Sequence, residues 1–267
     1  AAPRRIQAGL RLGLGRENFM NENAVEVADL TKSFGGVHAV DGVSMKVPCG
    51  ERRAIIGPNG AGKTTFFNCV TGRLSPNSGK IFIFGKEVTR LAEHQRVAMG
   101  IGRTFQITNI FPKLTVLENI LLAVQGTKRQ KWVFHRSITS FAESQARATE
   151  ELNRVGLAHR VSHTVQHLSY GERRQLEFAL ALACRPRLLL LDEPASGLSP
   201  GERQRIAEII SQLPRHRTII LIEHDMSVAF GLADQVAVFH RGSIIFEGTP
   251  DQVQANSQVR EVYFGDV

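Results

Sequence analysis

The chain has 267 residues, 42% hydrophobic and 22% charged, which describes a folded globular protein and excludes a mainly disordered, collagen-like or disulfide-stapled one. Lys and Arg total 33 against 25 Asp and Glu, a formal charge of +8. A surplus of that size suits nucleic acid, an anionic membrane surface or a polyanionic ligand, and composition does not choose among them. The cysteines Cys49, Cys69 and Cys184 have no CxxC spacing, so they fit a reducing compartment rather than a disulfide frame or thiolate metal site. No apolar run reaches the ~18–20 residues of a membrane span. Arg11 also interrupts any signal-peptide core, and the chain is expected to be cytoplasmic.

Residues 1–22 read as a basic extension outside the fold. Residues 25–30 alternate apolar and polar as a half-buried strand does, and Val43, Met45 and Val47 alternate likewise. Residues 54–56 lead into a glycine-rich turn, then a helical stretch from Gly62 to about Gly72, then a further strand at 81–84. From 114 to 183 the pattern turns helical, with helices expected at 116–124, 138–155 and 172–183. Phe141, Ala148, Leu152 and Val155 share one face of the second. Residues 188–191 and 218–222 are short continuous apolar runs, typical of parallel strands buried on both faces. Two last strands, 236–239 and 244–246, flank the hairpin turn His240-Arg241-Gly242-Ser243. The expected architecture is an α/β core interrupted by a helical insertion of roughly 70 residues.

The strongest chemical signal is Gly57-Pro58-Asn59-Gly60-Ala61-Gly62-Lys63-Thr64, a GxxxxGK[ST] phosphate-binding loop with a strand before it and a helix after. Its glycines let consecutive backbone N–H groups curl around phosphate oxygens, and the following helix presents its positive end. Lys63 is placed to meet the β- and γ-phosphates, Thr64 to ligate Mg²⁺, and Thr65 to reach the α-phosphate side. The second signal is Leu188-Leu189-Leu190-Leu191-Asp192-Glu193. An apolar strand ending in a carboxylate sets Asp192 at the edge of the sheet to hold Mg²⁺, and Glu193 next to it to orient or deprotonate an attacking water.

The third signal is Leu168-Ser169-Tyr170-Gly171-Glu172, whose serine stands 23 residues before Asp192. Locally, Ser169 and Glu172 make a capping box opening a helix. Together the three motifs resemble the nucleotide-binding subunit of an ABC transporter, over residues 25–265. The resemblance implies a P-loop NTPase fold of the α/β class, with a RecA-like core, an antiparallel β subdomain and a helical subdomain at about 107–185. It also implies ATP and Mg²⁺ as ligands. Ser169 and Gly171 would reach across a head-to-tail dimer to the partner's ATP. Gln106 would serve as the glutamine that touches Mg²⁺ or the attacking water, and His224 as the switch histidine on the γ-phosphate. Phe34 would be the aromatic stacked on adenine, with Val40 beside it.

Some positions depart from the family pattern. Tyr170 stands where glycine is most common, Glu172 where glutamine is usual, and Ser199 where the D-loop usually has Asp, which puts that cross-dimer contact in question. The LSYGE segment, the Ile222-Glu223-His224-Asp225-Met226 run and the terminal Tyr263-Phe264-Gly265 resemble the branched-chain (hydrophobic) amino acid uptake subfamily. That implies an ATPase energising amino-acid import through separate integral membrane permeases, paired with a second ATP-binding subunit and served indirectly by a substrate-binding protein. It would sit peripherally on the inner face of the cell membrane. Amides, urea or aromatic acids as cargo, or a lipid or lipopolysaccharide exporter, are the alternatives. A nucleic-acid ATPase is disfavoured, because no long coiled-coil insertion or tandem ATPase domain is present. His159, His163 and His167 read as loop residues rather than zinc ligands. Residues 1–20 and 127–136 supply seven of the eight surplus charges, so the basicity reads as two local patches suited to an anionic leaflet.

Overall fold

The computed structural model describes residues 23–103, 110–126 and 142–264. Gln106, Phe141, Gly265, the N-terminal 22 residues and the basic stretch at 128–136 lie outside the described residues.

The first two strands, β1 (Asn23–Phe34) and β2 (Val37–Pro48), pair antiparallel, and β4 (Ser78–Ile83) and β5 (Lys86–Glu87) extend them into a four-stranded sheet in the order β2-β1-β4-β5. The alternation at Val43, Met45 and Val47 turns these side chains inward. A second, six-stranded sheet contains β3 (Arg52–Ile56), β6 (Ile101–Arg103), β7 (Leu188–Asp192), β8 (Thr218–Ile222), β9 (Gln235–His240) and β10 (Ser243–Gly248). Its order is β10-β9-β3-β8-β7-β6, and every pair is parallel except the β9–β10 hairpin.

Helix α1 (Lys63–Thr71) lies between the two sheets. Phe66, Phe67, Cys69 and Val70 join Ile55, Leu188, Leu190, Ile220 and Phe239 in one core. The alternate residues of the same strands, Ala54, Ile56, Leu189, Leu191 and Leu221, face a second core on the opposite side. Both faces of these strands are therefore covered, which explains their unbroken apolar runs. The second core continues into α3 (Val116–Gly126), α4 (Ala142–Val155) and α5 (Tyr170–Ala183). Ile120, Val124, Ala148, Leu152, Val155 and Leu176 meet there. Helix α5 begins two residues before the expected start because Ser169 caps it. The elements the sequence pattern did not announce are α2 (Glu93–Ala98), β5, β6, α6 (Pro200–Ser211), α7 (Met226–Leu232), α8 (Pro250–Ala255) and α9 (Ser257–Phe264).

Arg96 on α2 is the least expected core residue, with 1% of its surface exposed. Its guanidinium donates to the carbonyls of Cys69 (2.8 Å) and Val70 (2.7 Å) at the end of α1, and to those of Leu91 (2.9 Å) and Thr89 (3.2 Å). It thus adds donors to the carbonyls at the end of the helix whose other end carries the phosphate loop. Arg96→Met is expected to strip these buried carbonyls of the guanidinium and to destabilise the fold by about 3 kcal/mol. A lowered midpoint in urea titration would report it.

Candidate active site

The phosphate loop leaves β3 at Ile56 and enters α1 through Gly62, whose φ of 100° lies in the left-handed region. A Cβ there would run into the Ala39 carbonyl oxygen, so only glycine fits. No side chain caps α1 and its first turn carries no acid, which leaves its N–H groups to meet an anion. Asn59 and Gly60 are exposed, and buried Ala61 accepts a hydrogen bond from Gly242 N–H (3.0 Å), so the β9–β10 turn braces the loop. Thr64 is exposed and Thr65 half-buried. Lys63 is 6% exposed, and its Nζ donates to the loop's own carbonyls at Gly57 (2.5 Å) and Pro58 (3.0 Å). Burial holds this ammonium below the usual lysine range, and the charges of Glu193 and Asp192 oppose that shift.

Asp192 ends β7 with 1% of its surface exposed, and neither carboxylate oxygen accepts a hydrogen bond among the described residues. The guanidinium of Arg103, at the end of β6, lies 3.5 Å from Oδ2. Burial raises the Asp192 pKa, and Arg103 works against that rise. A buried carboxylate that accepts no hydrogen bond among the described residues and meets Arg103 only at 3.5 Å has capacity for a further cation, so Asp192 and the Thr64 hydroxyl fit a hard divalent ion. Glu193 is half-buried, with φ at 46°. That conformation costs a non-glycine residue ~1–3 kcal/mol, and such strain gathers at functional sites. The Glu193 N–H donates to Ile222 O (3.0 Å), tying it to β8.

His224 follows β8 with its side chain 55% exposed, whereas the Glu223 side chain is fully buried. Phe34 is 48% exposed, with the Lys32 ammonium 5.1 Å from its ring centre, so the ring has surface left for stacking. Val40 is fully buried in the core between the sheets and packs there.

Ser169 caps α5 as the sequence suggests. Its hydroxyl accepts from Glu172 N–H (3.2 Å) while Glu172 accepts from Ser169 N–H (2.8 Å). Arg160 then grips Glu172 at 2.8 Å. Gly171 is buried because Glu202 lies against it, where a Cβ would collide with the carboxylate. Ser199 caps α6, donating to Glu202 (2.7 Å). The Tyr170 hydroxyl donates to Ser196 O (3.4 Å), and its ring lies against Gly197. The cavity beside these groups is walled by Ser169, Gly171, Leu198, Glu202 and Arg205 among others, and by no phosphate-loop residue. One chain therefore gathers the phosphate loop, Asp192, Glu193 and His224 at the ends of β3, β7 and β8. It holds Ser169 and Gly171 apart from them.

The ABC transporter family matches residues 40–196, from β2 through the loop after β7. The chain belongs to the ABC transporter family. The ATP-binding cassette continues past that match, where the branched-chain amino acid ATP-binding cassette transporter family covers residues 243–267. The high-affinity branched-chain amino acid transport ATP-binding protein BraF of Pseudomonas aeruginosa is 38% identical over 257 residues, covering 92% of this chain and all of BraF. LivG of Escherichia coli, with the same description, is 37% identical over 255 residues, at 92% and 100% coverage. A solved ATP-binding cassette of an ABC transporter in its ADP conformation superposes with a TM-score of 0.80 at 31% identity, covering 92% of this chain and 99% of that one. A dimeric cassette bound to ADP and Pi gives 0.74 at 26%, covering 85% and 98%.

Two residues of this cassette's site escaped the sequence reading. Arg103 bonds Thr71 (3.1 Å) and Asn68 (3.1 Å) on α1 as well as facing Asp192. The only sequence signal was an arginine directly before the Thr104-Phe105-Gln106 run. Glu223 is the other, a carboxylate wedged between an apolar strand and His224. Lys63→Ala is expected to weaken a fluorescent ATP analogue at least tenfold, about 1.4 kcal/mol, in equilibrium titration.

Proposed function

We propose that this cassette hydrolyses ATP to drive import of branched-chain or related hydrophobic amino acids through separate permease subunits. One observation carries the reading. The phosphate loop and the Asp192-Glu193 pair stand at the ends of two parallel strands, β3 and β7, that flank β8, in a chain 37–38% identical over 92% of its length to proteins named for that transport.

The loop N–H groups and Lys63 hold the β- and γ-phosphates. Thr64 and Asp192, with Gln106 by family likeness, would hold Mg²⁺, which supplies neutralisation of phosphate charge. Phe34 stacks on adenine. Glu193 takes the proton of the attacking water or orients it, and exposed His224 turns to the γ-phosphate. Ser169, exposed at the N-terminus of α5, together with the Gly171 backbone, meets the ATP of a second cassette in a head-to-tail pair. That a solved cassette of the same fold is dimeric supports a pair of cassettes.

No helix among the described residues is long and apolar enough to cross a membrane. A groove of about 490 Å³ runs between α2, β6, α3 and α5, and Val97, Phe111 and Leu122 expose apolar surface along it. A cytoplasmic loop of the permease would fill it and hold the cassette peripherally on the inner membrane face. Closure of the cassette pair moves α3 to α5 and so presses on that loop.

Glu193→Gln is expected to lower ATP turnover by ~10²–10⁴ while ATP binding persists and a dimer accumulates on gel filtration. Normal turnover in that variant would sink the role of Glu193. Leu122→Asp is expected to release the cassette from membranes and abolish uptake of labelled leucine, with nucleotide affinity unchanged.

A further inference from the structure

The loop from Glu193 to Ser199 is laced to the segment carrying His224 by contacts that neither the phosphate loop nor the signature requires. Glu193 N–H donates to Ile222 O (3.0 Å) and Ser196 N–H to Glu193 O (3.1 Å), which closes a tight turn around Pro194 and Ala195. Inside that turn, Ala195 N–H donates to Glu223 Oε1 at 3.1 Å. Glu223 is held in its own place by its N–H on Ile55 O (3.3 Å), in β3. At the far end of the loop, Arg203 donates to Leu198 O (3.0 Å) and to Asp225 Oδ2 (3.3 Å). The central pin is Glu223, whose side chain is fully buried, while its neighbour His224 is largely exposed.

A carboxyl group in that position needs a reason. Burying it costs free energy that a simple apolar residue would avoid, and Oε2 has no hydrogen-bond partner among the described residues. Its service is to the Ala195 peptide, two residues beyond Glu193. The left-handed backbone at Glu193 is strained and persists only where its surroundings over-determine it. Three hydrogen bonds, made by Glu193 N–H, Glu193 O and Ala195 N–H, supply that restraint, and Glu223 is the partner that comes from a side chain.

We infer that Glu223 is a positioning residue for hydrolysis: it fixes the turn that aims Glu193 at water, and it joins that turn to the His224 segment so that the two shift together. The inference rests on Glu193 acting on the attacking water, and its test separates the two ideas. Glu223 acts through the Ala195 peptide, from a side chain that is fully buried.

The test compares full-length Glu223→Gln, Glu223→Asp and Glu223→Met by steady-state ATP hydrolysis and by titration with a fluorescent ADP analogue. Gln keeps an acceptor oxygen in place and is expected to hold kcat within about threefold of the parent. Asp keeps the charge but withdraws the oxygen by one methylene, and Met removes the acceptor. Both are expected to lose kcat on the order of tenfold or more, with KM and ADP affinity unchanged, since a small misplacement of a reacting group costs rate rather than binding. Parental kcat in Asp or Met overturns the inference, as does a loss in Gln equal to that in Met, or a loss of ADP affinity that parallels kcat. Should Met fail to fold by thermal melt, the Asp and Gln variants decide the matter alone. Glu193→Gln run beside them reports on the underlying reading: normal turnover there breaks that reading, whereas collapse there with parental Asp and Met kinetics breaks only this one.

Discussion

Strand β8 lies between β3 and β7, and its last residue, Ile222, is the register partner of both Ile55 and Asp192. The distance from the phosphate loop to the carboxylate that faces it is therefore set by two strand spacings, about 10 Å, rather than by any loop. Strands apolar on both faces do not specify their own register by alternation. Here the register is pinned at the other end of the sheet by polar groups. Gly50 N–H donates to Thr218 Oγ1 (2.8 Å), Arg52 N–H to Asp234 (2.9 Å), and the Arg52 guanidinium to Leu213 O (2.9 Å). Slippage of β8 by one residue would break the Gly50–Thr218 bond and carry Ile222 away from the residues it aligns.

The departures from the family pattern acquire a common meaning in three dimensions. Tyr170 and Ser199 are remote from one another in sequence, yet with Glu202 they bind the start of α5 to the start of α6. Tyr170 reaches Ser196 and Gly197, Ser199 holds Glu202, and Glu202 fills the space that Gly171 leaves open. An aspartate at 199 would also cap α6, so serine retains the cap while giving up a charge. The edge that faces a second cassette in the proposed dimer is thus one braced unit within each chain.

The legible parts of this molecule were those whose physics is local. A glycine-rich turn between strand and helix, a serine and glutamate three residues apart, and apolar runs ending in Asp192 and in Ile222 can each be read from a few neighbouring residues. The helices at 116–126 and 142–155 announced themselves by their apolar faces. The strand β6 did not, since three residues, Ile101, Gly102 and Arg103, are too few to show a period. Nor did Arg96, Arg103 or Glu223 signal their burial. A charged side chain enters a core only because partners 26 to 35 residues away, as for Arg96 and Arg103, or 28 residues away, as for Glu223, meet it there. Such partners belong to the fold and not to any window of sequence.

Lys63 gives the phosphate loop a property beyond holding charge. Its ammonium already spends two hydrogen bonds on the carbonyls of Gly57 and Pro58, inside the curl where a phosphate would sit. An incoming nucleotide does not find a bare cation; it must outbid the loop for it. The exchange trades one set of bonds for another, so part of the attraction cancels on arrival and is returned on departure. A loop that can satisfy its own lysine is one that can let go of product, and a cassette that must cycle needs release as much as capture.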